Sequence, residues 1–328
     1  MSTPELTARD LQEILSFTVA LAYRAGELII EGSEVIIQAP PDSESGVLEK
    51  KNAVDLVTEY DVRVEELVKK ELGSKYPTFG FVGEESYSAG SRPPLTDAPT
   101  FCVDPIDGTT NFVHGLPYCC ISLGLIYKRR PVLGVVFNPF TGQLFTGAKG
   151  QGSFVQQGKN SQPRRLPFAQ RPRGLASLSQ ANIAVEWGSD RSAETMLLKT
   201  RSMTRLAGDI SAGGKMAHAI KSLGSAALNF CNVAQGGLDI YWEIGCWPWD
   251  VCAGIVISQE AGCVITGSHD TFAISSSSPE FGDVTEEILT GRKYIVVRAI
   301  GDTNHEKGSE AQKRIIKEFY DAVEDFEP

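Results

Sequence analysis

Apolar residues recur at helical spacing in several segments of the chain. The segment nearest the N-terminus predicts an amphipathic helix, because its apolar positions lie three or four residues apart and form one stripe. We expect this helix to end at Gly32, since glycine is typical of helix C-termini. The stripe consists of Leu11, Ile14, Leu15, Thr18, Leu21, Ala22, Ala25, Leu28 and Ile29. Further helices are predicted over residues 61–72, 193–203, 212–223, 226–233 and 251–261, and a last one over 315–323.

Short apolar runs between turn-forming residues predict β-strands. They cover residues 79–82, 100–103, 121–127, 132–137, 183–185 and 238–242. A polar stretch over residues 38–46 predicts a loop, and a Ser-rich stretch over residues 268–290 predicts a long flexible excursion. Helices and strands therefore mix along the whole chain.

Residues 156–173 are rich in Gln, Pro and Arg and show little periodicity. A chain of 328 residues has the length of about two domains. We therefore expect a seam here, with an N-terminal α+β lobe over residues 1–155 and a C-terminal α/β lobe over residues 156–328.

The composition is that of an ordinary globular protein, with 42% apolar and 22% charged residues, which excludes a disordered or fibrous chain. A formal net charge of −10 argues against nucleic-acid binding, which needs a basic surface. No apolar run approaches the roughly 20 residues that span a membrane, and the first residues do not resemble a signal peptide. Seven cysteines without a C-x-x-C pair indicate buried thiols in a reducing compartment, so we expect a cytoplasmic protein.

Acidic residues gather at the ends of predicted elements. The most informative stretch is residues 103–112, in which a strand ends at Asp104, Pro105 forces a turn and Asp107 follows. Two carboxylates held close together repel each other unless a cation lies between them, and Mg²⁺ prefers such oxygen ligands. Gly108 and Thr109 then open a helical turn, whose free amides can bind an anion. Together these features favour phosphoryl-transfer chemistry.

Each of these acidic groups also has a purely structural interpretation. An Asp-rich turn can serve only to cap a helix. Glu84 and Glu85, taken alone, fit a solvated loop after a strand. Asp250 can be the N-cap of the helix that follows it, although a carboxylate at a helix start can also hold a metal.

Three motifs in order resemble the signatures of the inositol monophosphatase family: Glu84 within Gly-Glu-Glu-Ser, Asp104-Pro-Ile-Asp-Gly-Thr-Thr-Asn-Phe, and Trp249-Asp250-Val-Cys-Ala-Gly. The segment Asp55-Leu-Val-Thr-Glu-Tyr-Asp61 resembles a fourth element of the family. The resemblance implies an α+β fold in which helices and mixed β-sheets form α-β-α-β-α layers. It also implies a homodimer.

The resemblance implies a site for two or three Mg²⁺ ions. Glu84, Asp104 and the backbone carbonyl of Ile106 would bind the first ion. Asp104, Asp107 and Asp250 would bind the second, and Glu84 would also help to hold a third, weaker one. Thr109, hydrogen-bonded to Asp61, would orient and deprotonate the attacking water, so Glu84, Thr109 and Asp61 are the implied catalytic residues.

The resemblance also implies how the substrate is held. The amides of Gly108 and Thr109 would bind the phosphate, and Lys50 or Lys51 would help to hold the phosphate or a water. Further implied substrate contacts are Asp107, Ser189, Ala226, Glu243 and Asp250. Ser189 alone fits an ordinary loop residue, and Ala226 alone fits helix packing.

The implied activity is Mg²⁺-dependent, lithium-sensitive hydrolysis of phosphate monoesters of small polyols, with myo-inositol monophosphate as the first candidate. The segment at Asp55 and Glu243 favour the inositol type over relatives acting on nucleotide or sugar bisphosphates. A branch associated with quinate utilisation, and a catalytically silent protein that binds phosphorylated metabolites, stay open. The chain departs from the family at Cys252, at Cys263 and over residues 268–298, which leaves the edge of the substrate pocket undefined.

Overall fold

The fold is built on two β-sheets with helices between and outside them. A computed structural model describes residues 5–38, 47–50, 52–53 and 56–328. A short antiparallel pair comes first, β1 (Val47–Glu49) with β2 (Leu56–Thr58). The first sheet then has the strand order β3-β4-β5-β6-β7-β8-β9, in which only β3 and β4 are parallel. Its strands are β3 (Gly80–Gly83), β4 (Thr100–Asp107), β5 (Cys120–Tyr127), β6 (Arg130–Asn138), β7 (Gln143–Ala148), β8 (Gly152–Gln157) and β9 (Arg164–Arg165).

The second sheet has the strand order β11-β10-β12-β14-β13. Strand β10 runs parallel to β11 and β12, whereas β14 runs antiparallel to β12 and β13. Its strands are β10 (Asn182–Val185), β11 (Ala219–Lys221), β12 (Ile240–Ile244), β13 (Val264–Thr266) and β14 (Lys293–Val297).

Ten α-helices lie in the described part of the chain, together with two short 3₁₀ turns. They are α1 (Ala8–Gln38), α2 (Glu59–Lys75), α3 (Glu84–Ser88), α4 (Thr109–Val113), α5 (Ala193–Ala207), α6 (Ala226–Gln235), α7 (Pro248–Glu260), α8 (His269–Ser275), α9 (Glu286–Thr290) and α10 (Gly308–Tyr320). The 3₁₀ turns cover Leu178–Gln180 and Ile210–Ala212. None of the helices in this part of the chain is long and apolar enough to span a bilayer.

Side chains alternate between the two faces of each sheet, and this alternation creates the layers. In β4, Phe101 and Val103 pack in the core under α1 and α2, whereas Cys102 packs in the core with α6 and α7. In β12, the ring of Tyr241 makes an edge-to-face contact with Phe230 of α6. Its neighbour Trp242 makes an edge-to-face contact with Phe319 of the outer helix α10. The order is therefore helix, sheet, helix, sheet, helix, which confirms the expected α-β-α-β-α fold.

Glycines let α7 lie directly on the first sheet. A Cβ built on Gly134 of β6 would collide with the carbonyl oxygen of Ala253, and one on Gly124 of β5 would lie 2.5 Å from the sulfur of Cys252. A larger residue at either position would push the helix away from the sheet. This contact fixes where the first turn of α7, and with it Asp250, sits relative to β4.

The structure differs from the sequence-based expectation at four places. Strand β4 does not end at Asp104 with a turn at Pro105; it continues to Asp107, and its register with β5 shifts between Asp104 and Asp107. Helix α1 continues through Gly32 to Gln38, and Gly32 serves close packing instead of ending the helix, because the ring of Tyr60 leaves no room for a Cβ there. The predicted helix over residues 212–223 is wrong, since β11 occupies part of it at the edge of the second sheet. The predicted excursion over 268–290 contains helices α8 and α9. Of the expected loop over residues 38–46, all but Gln38 lies outside the described residues.

Candidate active site

The ends of β3, β4 and β12 and the starts of α4, α6 and α7 meet around one cleft of about 1640 Å³. Most of the implied site residues line this cleft: Glu84, Asp107, Gly108, Thr109, Ser189, Ala226, Glu243 and Asp250. Asp61, Asp104 and Ile106 are buried next to these lining residues. Asp55 and Lys51 lie outside the described residues. The cleft therefore gathers groups that are up to 166 positions apart in sequence, from Glu84 to Asp250.

Three carboxylates form a cluster at one side of the cleft. Glu84, Asp104 and Asp250 each offer one oxygen, and these oxygens lie within 4.8 Å of one another. Parallel pairing of β3 and β4 puts Gly83 opposite Val103, so the next residues, Glu84 and Asp104, come out side by side. Asp250 enters from the first turn of α7, where its carboxylate accepts a 2.5 Å hydrogen bond from the Trp247 amide.

The cluster has the electrostatics expected of a cation site. Burial, and then repulsion by Glu84, Asp107 and Asp250, raises the pKa of Asp104 well above its usual range. Burial and the charges of Glu84 and Asp107 raise the pKa of Asp250 to about 8. A divalent cation between these oxygens would relieve the repulsion, and hard oxygen donors are the set that Mg²⁺ prefers. The residues present therefore fit Mg²⁺.

Asp107 ends β4 but points toward α6. Its carboxylate accepts hydrogen bonds from the Ser225 hydroxyl and from the amides of Ala226 (3.2 Å) and Ala227 (2.8 Å). Burial raises its pKa to about 6, although these donors favour the charged form. The structure thus does not include Asp107 in the three-carboxylate cluster, and its contribution as a second-ion ligand stays a prediction.

Thr109 and Asp61 form a hydrogen-bonded pair beside the cluster. The Thr109 hydroxyl lies 3.3 Å from an Asp61 oxygen and 3.1 Å from the Ile106 carbonyl oxygen, and can donate to either. The other Asp61 oxygen accepts from the amide (2.8 Å) and hydroxyl (2.6 Å) of Thr58 at the start of α2. Asp61 is 1% exposed, and burial raises its pKa to about 6.

Gly108 has a backbone that no other residue adopts easily. Its φ is +93°, and a Cβ there would lie 2.9 Å from the carbonyl oxygen of Gly224. Glycine therefore allows β4 to turn sharply into α4, and the residues of this turn, Gly108 and Thr109, line the cleft.

Lys50 and Glu65 hold the start of α3, where Glu84 lies, and the sequence analysis did not single out Glu65. Lys50 bridges Glu84 (2.8 Å) and Glu85 (2.7 Å), so of the two candidate lysines the described one contacts the cluster. Buried Glu65 of α2 accepts hydrogen bonds from the amides of Glu85 (2.7 Å) and Ser86 (2.8 Å). The available signal was the position of Glu65 on the inward face of α2, four residues after Asp61.

The far end of the cleft carries Glu243, Ser189 and Ala226. Glu243 is 4% exposed and accepts a 3.1 Å hydrogen bond from the Tyr241 hydroxyl; burial, and then Glu186, raises its pKa to about 8. Ala226 is the first residue of α6, and Ser189 lies in the loop before α5, where its carbonyl accepts from Asn52 (2.9 Å).

Glu186 and Lys199, which sequence reasoning missed, also line this end. Glu186 accepts from the amides of Leu223 (2.8 Å) and Gly224 (3.0 Å) and so fixes the loop before α6. Lys199 is a buried lysine of α5.

Comparisons of this chain with a family profile, with other sequences and with solved structures agree with one another. The profile of the inositol monophosphatase family matches residues 10–323. Inositol monophosphatase 2 of Saccharomyces cerevisiae is 46% identical over 221 residues, which cover 67% of this chain and 72% of that protein. The quinic acid degradation cluster protein x of Neurospora crassa is 37% identical over 343 residues, covering 98% and 97%. The crystal structure of the extragenic suppressor protein suhB from Bartonella henselae superposes with a TM-score of 0.66 at 27% identity, covering 92% and 97%.

Proposed function

The chain belongs to the inositol monophosphatase family, and from this premise we propose that it is a Mg²⁺-dependent phosphatase that hydrolyses phosphate monoesters of small polyols. Myo-inositol monophosphate is the first substrate in this proposal. The observation that carries it is the cluster of Glu84, Asp104 and Asp250 beside the Thr109–Asp61 pair in one cleft.

The carboxylate cluster would hold the ions of the reaction. Glu84, Asp104 and Asp250 supply the oxygens, and Ile106 offers its carbonyl close by, where it faces the Thr109 hydroxyl at 3.1 Å. Bound Mg²⁺ stabilises charge on phosphoryl oxygens and lowers the pKa of the attacking water. Lys50 ties Glu84 to Glu85, which keeps the segment before β2 close to the cluster.

The Thr109–Asp61 pair supports proton transfer. The Thr109 hydroxyl can accept a proton from the attacking water while it donates its own proton to Asp61. A pKa of about 6 puts Asp61 close to neutral pH, where a carboxylate is ionised and still basic enough to take part of the proton. Asp61 is fixed by Thr58 and cannot turn away.

The other end of the cleft would bind the organic part of the substrate. Within the described part of the chain, Glu243 accepts from the Tyr241 hydroxyl alone, and it lines the cleft, so it can also accept hydrogen bonds from polyol hydroxyls. Ser189 and Ala226 border the same space. The amides of Gly108 and Thr109 would hold the phosphate between the two ends.

The physiological substrate has a second candidate. A relative similar over nearly its whole length is named for a quinic acid degradation cluster, so a phosphorylated intermediate of that chemistry is the alternative. A catalytically silent regulator is disfavoured, because every implied metal-binding and water-orienting residue type is present. A homodimer, proposed from the family resemblance, can be checked by analytical ultracentrifugation.

Phosphate release from inositol 1-phosphate tests the proposal. We expect turnover with Mg²⁺, and its loss with EDTA, with Li⁺ and in the variant Asp104→Asn. Turnover of inositol 1-phosphate that persists in EDTA would contradict the metal-dependent reaction. No release from any phosphate monoester in the presence of Mg²⁺ would favour the silent regulator.

A further inference from the structure

Lys199 is a buried cation at the end of the cleft that would hold the organic part of the substrate. It is 5% exposed, lies on α5 and lines the cleft together with Ser189 and Glu243. Its ammonium nitrogen lies beside the loop before α5: a Cβ built on Gly188 in that loop would be 3.2 Å from this nitrogen.

The ammonium of Lys199 has fewer partners than a buried charge needs. It donates to the carbonyl of Trp187 and lies 5.4 Å from the ring centroid of Phe326. Among the residues that the structure describes, no carboxylate lies within 4.0 Å of it. An ammonium carries three donors, and burying one without an anionic partner is costly. Burial lowers the pKa of Lys199, in line with this deficit.

The surrounding charges define which ligand would fit. Glu243 and Asp190 attract Lys199 from beyond 4.0 Å, whereas Arg191 repels it. A ligand group with one negative charge can use the free donors of one ammonium, while a dianionic second phosphate would meet the repulsion of the nearby carboxylates. Glu243 in the same part of the cleft can accept from a hydroxyl. The two side chains together fit a hydroxy acid.

We propose that Lys199 binds a carboxylate of the substrate, so that this phosphatase prefers a phosphorylated polyol acid to a neutral phosphorylated polyol. The inference rests on the proposed function and specifies its substrate class. Lys199 is then a specificity-determining residue.

A structural role for Lys199 leads to a different expectation. If its only task were to hold the Trp187 carbonyl and offset the charge of Glu243, its removal would affect acidic and neutral substrates alike. The ratio of kcat/KM between two such substrates therefore separates the two roles.

The test compares three phosphate esters that share one carbon chain: 6-phosphogluconate, sorbitol 6-phosphate and sorbitol 1,6-bisphosphate. Their flexible chain lets the distal group reach Lys199 while the phosphate stays in place. Each is measured with Mg²⁺ on the full chain, on Lys199→Met and Lys199→Gln, and on Lys70→Met, an exposed lysine of α2 outside the cleft. Thermal unfolding of each variant checks the fold.

In the unsubstituted protein and in Lys70→Met, we expect kcat/KM to be about tenfold or more higher for 6-phosphogluconate than for sorbitol 6-phosphate. A hydrogen bond between charged groups contributes a free energy of this size. Both Lys199 variants should bring this ratio of kcat/KM close to one. Equal kcat/KM for the two esters in the unsubstituted protein, whatever the variants do, overturns the inference. So does a preference that survives in a folded Lys199 variant.

The bisphosphate separates a carboxylate from a second phosphate. If sorbitol 1,6-bisphosphate is the favoured ester and loses its advantage in Lys199→Met, the assignment of a carboxylate is wrong. In each of these cases sorbitol 6-phosphate is hydrolysed and the phosphatase proposal stands. Hydrolysis of none of the esters, with inositol 1-phosphate also inert, defeats the proposed function and the inference with it.

Discussion

The substitution Asp104→Asn should make the metal-free protein more stable at mildly alkaline pH while it abolishes turnover. Without a cation, the oxygens of Glu84, Asp104 and Asp250 face one another within 4.8 Å, and their repulsion opposes folding. Asparagine has nearly the same size as aspartate, and its oxygen can still accept the 3.0 Å hydrogen bond from the Ile106 amide. The variant therefore removes an ionisable group without changing the shape of the side chain.

The sign and size of the effect follow from the shifted pKa values. The pKa of Asp250 is raised from 3.8 to about 8 in the fold, so the folded state holds its proton more tightly than the unfolded state. The stability linked to that proton is complete below about pH 4 and is lost as the pH rises to about 8. Four pH units at about 1.4 kcal/mol each give about 6 kcal/mol, and we take about half, since Asp250 retains partial exposure. The pKa of Asp104 is raised in the same direction by burial and by the charges of Glu84, Asp107 and Asp250, so the folded protein loses stability through its proton in the same way. Asparagine has no such proton, so the variant escapes the part of the loss that belongs to Asp104.

The assay is thermal unfolding in EDTA and in Mg²⁺. In EDTA the unsubstituted protein should unfold at a lower temperature at about pH 8 than at about pH 5. Asp104→Asn should regain about 2 kcal/mol at the higher pH, which is about 5 °C for a chain of this size. Mg²⁺ should stabilise the unsubstituted protein and not the variant.

Asp283→Asn is the matched control, because Asp283 is exposed and lies outside the cleft. It should behave like the unsubstituted protein in every condition. A metal-free protein that is equally stable at both pH values, or an Asp104→Asn variant without any gain at the higher pH, would refute the reasoning.

Three further predictions concern catalysis, metal affinity and packing. Thr109→Ala should lower kcat by about 10²- to 10⁴-fold in steady-state assays while Thr109→Ser keeps most of it; equal losses in both would contradict a hydroxyl role. Glu65→Gln weakens the hydrogen bonds that fix α3, so it should lower the free energy of unfolding by about 1–3 kcal/mol. It should also raise the Mg²⁺ concentration needed for half-maximal activity, and an unchanged Mg²⁺ requirement would contradict the positioning role of Glu65. Gly134→Ala should lower the free energy of unfolding, measured by urea denaturation, by about 3 kcal/mol. The control Gly73→Ala, in open space on α2, should raise it by about 0.5–1 kcal/mol. Similar effects of the two substitutions would exclude the close contact between α7 and β6.

The site could be predicted from the sequence where one short motif contains both the reactive residues and the turn that positions them. The motif around Asp104 and Asp107 contains the end of a strand and then Gly108, whose left-handed backbone favours glycine. It therefore predicted the edge of the first sheet at which the site forms. The resemblance to a family supplied the layered fold, which periodicity alone did not, because alternating burial in the strands does not say which helix covers which face.

Other features depend on contacts between distant residues and could not be seen in the sequence. The hydrogen bonds that Asp107 accepts from Ser225, 118 positions away, and from the start of α6 have no signal in the sequence. Gly32 reads as a helix end until the Tyr60 ring is found against it. The sequence analysis did not single out Lys199, because its burial depends on the packing of Phe326 and the Trp187 carbonyl around it.

The central claim is that the carboxylates of Glu84, Asp104 and Asp250 share a divalent cation. Anomalous diffraction from crystals soaked in Mn²⁺, which replaces Mg²⁺ and scatters strongly, tests it most directly. We expect a peak between these three residues, about 2–2.5 Å from an oxygen of each. Strong peaks elsewhere, with none at this cluster, would contradict it.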